Sequence, residues 1–164
     1  MNFVSILIGS KSDYEVMRNC IDILESFEVK YEFIISSAHR TPARTKEYIV
    51  EADKKGANVF ICAAGMAAHL AGAVASMTTK PVIGVPMKGG AMDGMDAMLS
   101  TVQMPSGMPV ATVALGKAGA TNSAYLAMQI LALNDKELDS KLKEDRIVKA
   151  KKVESDSSEI EVIL

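Results

Sequence analysis

The chain has 164 residues, of which 49% are hydrophobic and 23% charged, and its formal net charge is −2. This length and composition predict one globular domain with an aliphatic core and exclude a disordered chain. The small negative charge gives no electrostatic reason to expect nucleic acid or an anionic membrane as a partner. No apolar run reaches the roughly 18–20 residues that a membrane span needs.

Two cysteines, Cys20 and Cys62, lie inside apolar or helical patterns. Two are too few for a disulfide scaffold or a Cys-rich metal site, so we interpret both as reduced core residues. The N-terminal stretch MNFVSILIGS lacks the basic region and the small-residue cleavage site of a signal peptide. We therefore expect a cytoplasmic protein.

The first predicted unit is a strand, a turn and a helix. The apolar run at 3–9 ends at a glycine, which is typical of a strand buried on both faces. Ser12, with Glu15 three residues later, matches a capping box and predicts that a helix with an apolar face starts there.

The same pattern recurs four times along the chain. Apolar runs at 30–35, 58–64, 81–86 and 109–115 are each followed by a turn and a helical stretch, and Thr41-Pro42 marks one helix start. Five β–α units predict a parallel sheet with helices on both faces. The predicted fold class is α/β, a three-layer α/β/α sandwich with the flavodoxin-like strand order and an additional C-terminal helix.

Charge is distributed unevenly along the chain. Residues 57–134 contain few charged side chains, and the helical stretch 119–133 has none, which favours burial between the subunits of a homo-oligomer. A densely charged helix follows, capped by Asn134 or Asp135. We predict a single catalytic domain over 1–152 that includes this helix, and an acidic tail over 153–164 that either frays or pairs as an edge strand.

Polar side chains follow the first two predicted strands, where ligands bind in sheets of this kind. Ser10, Ser12 and Asp13 in GSKSD combine hydroxyls and helix N-terminal amides suited to phosphate with a carboxylate suited to ribose hydroxyls. The alternative is a simple turn and N-cap.

A second motif, SAHRTP, contains His39 and Arg40 side by side. Histidine titrates near neutral pH, and arginine is a cation whose shape suits phosphate or carboxylate. The alternative for His39 is a histidine hydrogen-bonded inside a loop.

A third loop, AAGMAAHLAG at 63–72, is built largely of small residues. They let backbone N–H groups approach a ligand, and Gly65 permits conformations that other residues resist. His69 lies in an apolar helical pattern, where a core or interface histidine is as consistent with the sequence as a ligand contact. We interpret the Met- and Gly-rich segment 87–109 as an adaptable loop that packs at an interface.

Several other functions lack their motifs. No G-x-G-x-x-G follows the first strand, and no G-x-x-x-x-G-K-[ST] phosphate loop occurs. Two separated histidines and two cysteines do not make a zinc set, so we expect no metal. A phospho-acceptor receiver domain needs an acidic residue at the end of the third strand, where this chain has Cys62, Ala63 and Ala64.

Five segments of the chain are distinctive in this order: GSKSD, SAHRTP, AAGMAAHLAG, PVIGVP and LSTVQMPSGMPVATVALGKAGATNSAYLAMQIL. In these segments, and from about residue 4 to 133, the chain resembles the N5-carboxyaminoimidazole ribonucleotide mutase family of purine biosynthesis. The resemblance implies an isomerase without a cofactor, which moves a carboxylate from the exocyclic nitrogen of a small-molecule ribonucleotide to carbon 4 of its aminoimidazole ring. It also implies a homo-octamer with sites shared between subunits.

By position, the resemblance implies His39 as the catalytic acid and base. The substrate-binding residues that it implies are Ser10, Ser12, Asp13, Ser37, Arg40, Ala64, Gly65 and, in the same motif, His69. A related branch that carboxylates the unsubstituted ring directly with CO2 resembles SAHK and GRSN where this chain has Arg40 and GMAAH, so the mutase branch fits better. A non-catalytic nucleotide-binding module with this fold is the other alternative.

Overall fold

The structure, a computed structural model, describes residues 2–163. Its sheet consists of β1 (Phe3–Ile8), β2 (Tyr31–Ile35), β3 (Ala57–Ala64), β4 (Val82–Pro86) and β5 (Ala111–Thr112). All neighbouring strands are parallel, and their order is β2-β1-β3-β4-β5, which confirms the predicted flavodoxin-like sheet. The fifth strand is shorter than the run at 109–115 that predicted it, since only Ala111 and Thr112 pair with β4.

The helices are α1 (Tyr14–Ser26), α2 (Pro42–Lys55), α3 (Leu70–Ala75), α4 (Met95–Val102), α5 (Gly116–Ala132) and α6 (Lys136–Ile160). A short 3-10 turn, Lys11–Asp13, precedes α1. Within residues 2–163, none of the helices combines the length and the apolar character needed to cross a membrane.

The sheet has helices on both faces, as predicted. On one face Leu7 of β1 belongs to the same core cluster as Ile49 of α2 and Val74 of α3. On the other face α5 meets α1, where the hydroxyl of Ser123 donates to Sγ of Cys20 at 3.6 Å. Because the sheet is covered on both sides, every residue of β1 is buried, as the continuous apolar run at 3–9 predicted.

Both cysteines are free and buried. Burial raises the pKa of the Cys20 thiol to about 12, and burial also raises the pKa of the Cys62 thiol. Since the thiolate is the reactive and metal-binding form, these side chains act as small apolar core residues, in agreement with their interpretation from the sequence.

The first helix starts differently from the prediction. Residues 11–13 form the 3-10 turn, and α1 begins only at Tyr14. The side chain that accepts a free backbone N–H is that of Ser10, from Ser12 at 3.4 Å. The predicted cap at Ser12 is therefore wrong, because the extended backbone of Ser10 places its hydroxyl at the start of the turn.

The chain divides after Met128 into two compact units, and the second contains the end of α5 and all of α6.

Oδ1 of Asp135 accepts the N–H groups of Glu137 and Leu138 at 3.1 and 3.0 Å, which confirms this residue as the cap of α6. Helix α6 continues through Ile160, so the boundary predicted after residue 152 falls inside it. Residues 153–160 are helical, and the edge strand considered for the tail does not form there.

Gly84 of β4 allows α4 to lie close to the sheet. A Cβ at this position would lie 2.4 Å from Cγ2 of Thr101 and 2.9 Å from Cγ1 of Val110. We therefore expect Gly84→Ala to lower the free energy of unfolding by about 1–3 kcal/mol, as overpacking does in other cores. Urea unfolding tests this against Gly9→Ala, whose new methyl group would have its nearest neighbours at 3.8 Å. Equal losses in the two variants would contradict the prediction.

Candidate active site

The carboxyl ends of β1 to β4 surround a cavity of about 500 Å³. The strand order reverses here, between β1 and β3, which is where ligands bind in open parallel sheets. Backbone hydrogen bonds continue the sheet into the loops, such as Gly9 N–H to the Ala63 carbonyl at 3.0 Å and Met87 N–H to the Ala64 carbonyl at 2.9 Å. The loops therefore leave the sheet from fixed positions.

All the site residues named from the sequence line this one cavity. They are Ser10, Ser12, Asp13, Ser37, His39, Arg40, Ala64, Gly65 and His69. They come from three segments that are far apart in the sequence, and the parallel sheet brings these segments to one edge.

The loop after β1 supplies two hydroxyls and a carboxylate. The hydroxyl of Ser12 donates to that of Ser10 at 3.0 Å, and the N–H of Asp13 donates to the Ser10 carbonyl at 3.1 Å. Burial raises the pKa of the Asp13 carboxyl, and hydrogen bonds from the Ser10 backbone and the Ser12 side chain partly offset this effect. Donors and an acceptor thus lie side by side, an arrangement suited to a sugar and its phosphate.

The loop after β2 is held by its own side chains. The hydroxyl of Ser37 accepts the N–H of Arg40 at 3.1 Å, and the hydroxyl of Thr41 accepts the N–H of Ser37 at 3.0 Å. Thr41 stands at the N-cap position of α2 but makes no cap bond to the helix, because its hydroxyl is used in the loop. Beneath the loop, the buried hydroxyls of Ser36 and Thr45 are 2.8 Å apart. His39 and Arg40 are exposed on this rigid support.

The two histidines of the chain are in contact. Nε2 of His39 lies 2.7 Å from Nδ1 of His69, and the ring planes are nearly perpendicular at 89°. A hydrogen bond of this kind needs one N–H and one bare nitrogen, so one of the two rings donates and the other accepts. His69 is exposed at the N-cap position of α3, which excludes the core histidine that the sequence had left open.

One part of the cavity was missed by the sequence analysis. Lys88, Gly89 and Gly90 follow β4 and line the same cavity, although we had interpreted this segment as interface packing. Lys88 places a second cation at the cavity, in addition to Arg40. The signal that could have revealed it is position, since a lysine in a charge-poor region follows the end of a buried strand.

Within residues 2–163 there is no group of three or more His, Cys, Asp or Glu side chains that could hold a metal ion. The cavity offers two cations, a carboxylate, serine hydroxyls and a pair of imidazoles. This chemistry is suited to binding an anionic ligand with hydroxyl groups and to moving a proton. The fold and this chemistry are those of an α/β enzyme, with a candidate active site at the carboxyl edge of its parallel sheet.

Comparison with known proteins identifies the family. The model of the AIR carboxylase family matches residues 3–152, and the chain belongs to this family. It is 51% identical over 140 residues to the N5-carboxyaminoimidazole ribonucleotide mutase of Saccharolobus solfataricus, covering 85% of this chain and 87% of that protein. It is 52% identical over 143 residues to the enzyme of the same name from Bacillus subtilis, covering 87% and 88% of the two chains. The chain is thus an isomerase of the mutase type.

A solved structure confirms the fold. The crystal structure of Treponema denticola PurE superposes with a TM-score of 0.89 at 29% sequence identity. The match covers 99% of this chain and 100% of that one.

Proposed function

We propose that this enzyme converts N5-carboxyaminoimidazole ribonucleotide to 4-carboxy-5-aminoimidazole ribonucleotide in purine biosynthesis, in the cytoplasm. The observation that carries the proposal is the convergence of the hydrogen-bonded His39 and His69 with phosphate- and sugar-binding groups on one cavity. The names of the two relatives at about half identity support the same reaction.

The groups around the cavity match the parts of this substrate. Asp13 holds ribose hydroxyls, and Ser10, Ser12, Ser37 and Arg40 hold the phosphate through hydroxyl and guanidinium hydrogen bonds. The substrate carries a second negative charge on its carboxylate, and the cavity has a second cation in Lys88. Two anionic groups are thus matched by two cations.

The small residues at the carboxyl end of β3 form the part of the site nearest the ring. Ala64 and Gly65 have little or no side chain, so the aminoimidazole ring and a CO2 molecule can lie against the backbone. A Cβ on Gly65 would lie 3.5 Å from Cβ of Met87, so the Gly65 backbone lies close to the start of the loop after β4. We assign this surface to holding CO2 while it changes its attachment point.

His39 acts as acid and base in one cycle. The N–C bond of the carbamate breaks and releases CO2, and the exocyclic nitrogen takes a proton from His39. Carbon 4 of the ring then attacks CO2 to form the new C–C bond. His39 removes the proton that carbon 4 still carries and returns to its starting state, so the proton balance of the cycle is zero.

An assay with purified protein tests this function. The N-carboxylated ribonucleotide is supplied without ATP, metal or added bicarbonate, and the carbon-carboxylated isomer is expected as the product. Turnover of the unsubstituted ribonucleotide that needs added bicarbonate would indicate the direct carboxylase. Binding of the ribonucleotide in calorimetry without any turnover would indicate a binding module.

We also propose a homo-octamer with sites at subunit interfaces. Met95, Leu99 and Val102 of α4 are 51%, 49% and 47% exposed and follow one another at helical spacing. The uncharged stretch of α5 gives independent support, since it has no charged face for solvent. Sedimentation equilibrium at micromolar protein tests this proposal, and a monomer there would contradict it.

A further inference from the structure

Ser100, on α4, is bonded to the loop that carries His69. Its Oγ accepts the N–H of Ala68 at 3.0 Å and lies 3.3 Å from the carbonyl oxygen of Met66. The single hydroxyl hydrogen has its nearest acceptor within the helix, the Asp96 carbonyl at 2.7 Å. Because the hydroxyl hydrogen is donated to the Asp96 carbonyl, the Ser100 oxygen acts as the acceptor of the Ala68 N–H.

The loop held in this way needs external support. Met66 has a φ of 56°, in the left-handed region that residues with side chains rarely adopt. Such a conformation costs on the order of 1 kcal/mol and persists only where surrounding contacts impose it. The bond from Ala68, two residues further on, is one of these contacts.

Removal of the Ser100 hydroxyl leaves a polar group without a partner. Ala68 is only 2% exposed, so water has little access to its N–H. An unsatisfied buried donor costs about 1–3 kcal/mol, which is comparable to the strain at Met66. Without the hydroxyl, we therefore expect the backbone of 66–68 to adopt other conformations, because the present one is no longer favoured over them.

A change in this loop reaches the histidine pair directly. His69 follows Ala68, and its N–H donates to the Ala67 carbonyl at 2.9 Å. The contact between His69 Nδ1 and His39 Nε2 is 2.7 Å long, and a hydrogen bond weakens steeply when its donor moves out of line. The order of contacts runs from Ser100 through Ala68 to His69 and His39.

We propose that Ser100 is a positioning residue for the His39–His69 pair. It fixes the backbone of 66–68 so that the imidazole of His69 meets that of His39 and holds it in one tautomer and orientation. This role rests on the proposed function of His39 as acid and base, but the geometry of the pair can be measured separately from the reaction.

The expected effect falls on turnover. The loops after β1 and β2, which hold sugar and phosphate in the proposed function, are fixed by their own internal hydrogen bonds, and none of these bonds involves Ser100. We therefore expect Ser100→Ala to lower kcat by about 10- to 100-fold, as a small displacement of a reacting group does, with KM within about threefold.

Two matched variants separate positioning from general damage. Ser100→Thr keeps the hydroxyl and is expected to retain kcat within about threefold. Thr101→Val removes the neighbouring hydroxyl, which donates within the helix to the Ala97 carbonyl at 2.7 Å, and it should leave kcat unchanged. Ser100→Cys, with a weak acceptor of similar size, replaces Ser100→Ala if that variant does not fold.

Nitrogen-15 spectra of histidine-labelled protein give a readout that needs no turnover. The chain has two histidines, so the spectra contain only two imidazoles. We expect wild type and Thr101→Val to show one protonated and one bare nitrogen in the shared bond, and Ser100→Ala to show averaged tautomers. Unchanged spectra with unchanged kcat in Ser100→Ala would overturn the inference. An inactive wild type with these spectral differences would instead overturn the proposed function alone.

Discussion

His39→Asn is expected to lower kcat by two orders of magnitude or more while the affinity for the ribonucleotide changes by less than about threefold. Asparagine keeps much of the shape and the hydrogen bonding of histidine but cannot take up and release a proton near neutral pH. General acid–base groups typically contribute about 10²–10⁴-fold to rate. Steady-state kinetics and calorimetry with the product measure the two quantities on the same preparation.

The outcome separates three roles for this side chain. A large loss in kcat at constant affinity supports proton transfer by His39. A loss in affinity with an unchanged kcat would make His39 a ligand contact. No change in either quantity would remove His39 from the mechanism. Circular dichroism of the variant serves as the folding control. We expect an unchanged spectrum, because His39 is exposed and contributes nothing to the core.

Arg40→Met is expected to weaken product binding by about 10- to 100-fold. Hydrogen bonds to charged groups are worth about 1.5–3 kcal/mol, and about 1.4 kcal/mol corresponds to a tenfold change in affinity. Methionine keeps the length and the apolar stem of arginine and removes only the guanidinium. Calorimetry at two salt concentrations measures the loss, and the variant should show a weaker dependence on salt than wild type.

Arg18→Met is the matched control for this measurement. Arg18 lies on α1, where it is 55% exposed at the side chain and pairs with Glu15 at 3.7 Å. Its removal subtracts the same charge from the protein without touching the cavity. Similar affinities of Arg18→Met and Arg40→Met would show that only net charge matters, and would remove Arg40 from the phosphate site.

The sheet was predictable because its signal is local. Apolar runs such as 3–9 and 58–64 end at turns and alternate with helical patterns, and handedness rules then leave few ways to connect five parallel strands. The same reasoning showed which residues follow the carboxyl ends of these strands. The loops that carry Ser10, His39 and Gly65 were therefore assigned to one edge of the sheet before their geometry was known.

Side-chain partners were less accessible from the sequence. The contact between His39 and His69 joins loops that follow β2 and β3, two strands separated in the sheet by β1. Hydrophobic periodicity shows which face of an element is buried, but it does not show which exposed groups of distant loops meet. Ser100 was missed for the same reason, since its spacing on α4 does not reveal that its hydroxyl is bonded to Ala68.

The start of α1 was predicted wrongly for a related reason. Ser10 and Ser12 both fit the composition of an N-cap, and the capping pattern with Glu15 favoured Ser12. The structure inserts a 3-10 turn over 11–13, so the extended residue with the free hydroxyl is Ser10. The choice between two serines two positions apart depends on backbone angles that residue preferences do not determine.

The fate of the migrating carboxylate tests the central claim most directly. The N-carboxylated ribonucleotide is prepared with carbon-13 in its carboxylate and given to the purified enzyme in unlabelled bicarbonate buffer without ATP. If CO2 is held against Ala64 and Gly65 while His39 donates one proton and later takes one back, the label appears in the ring carboxylate of the product. A product that carries unlabelled carbon from the buffer, or no product until bicarbonate is raised, would contradict this account.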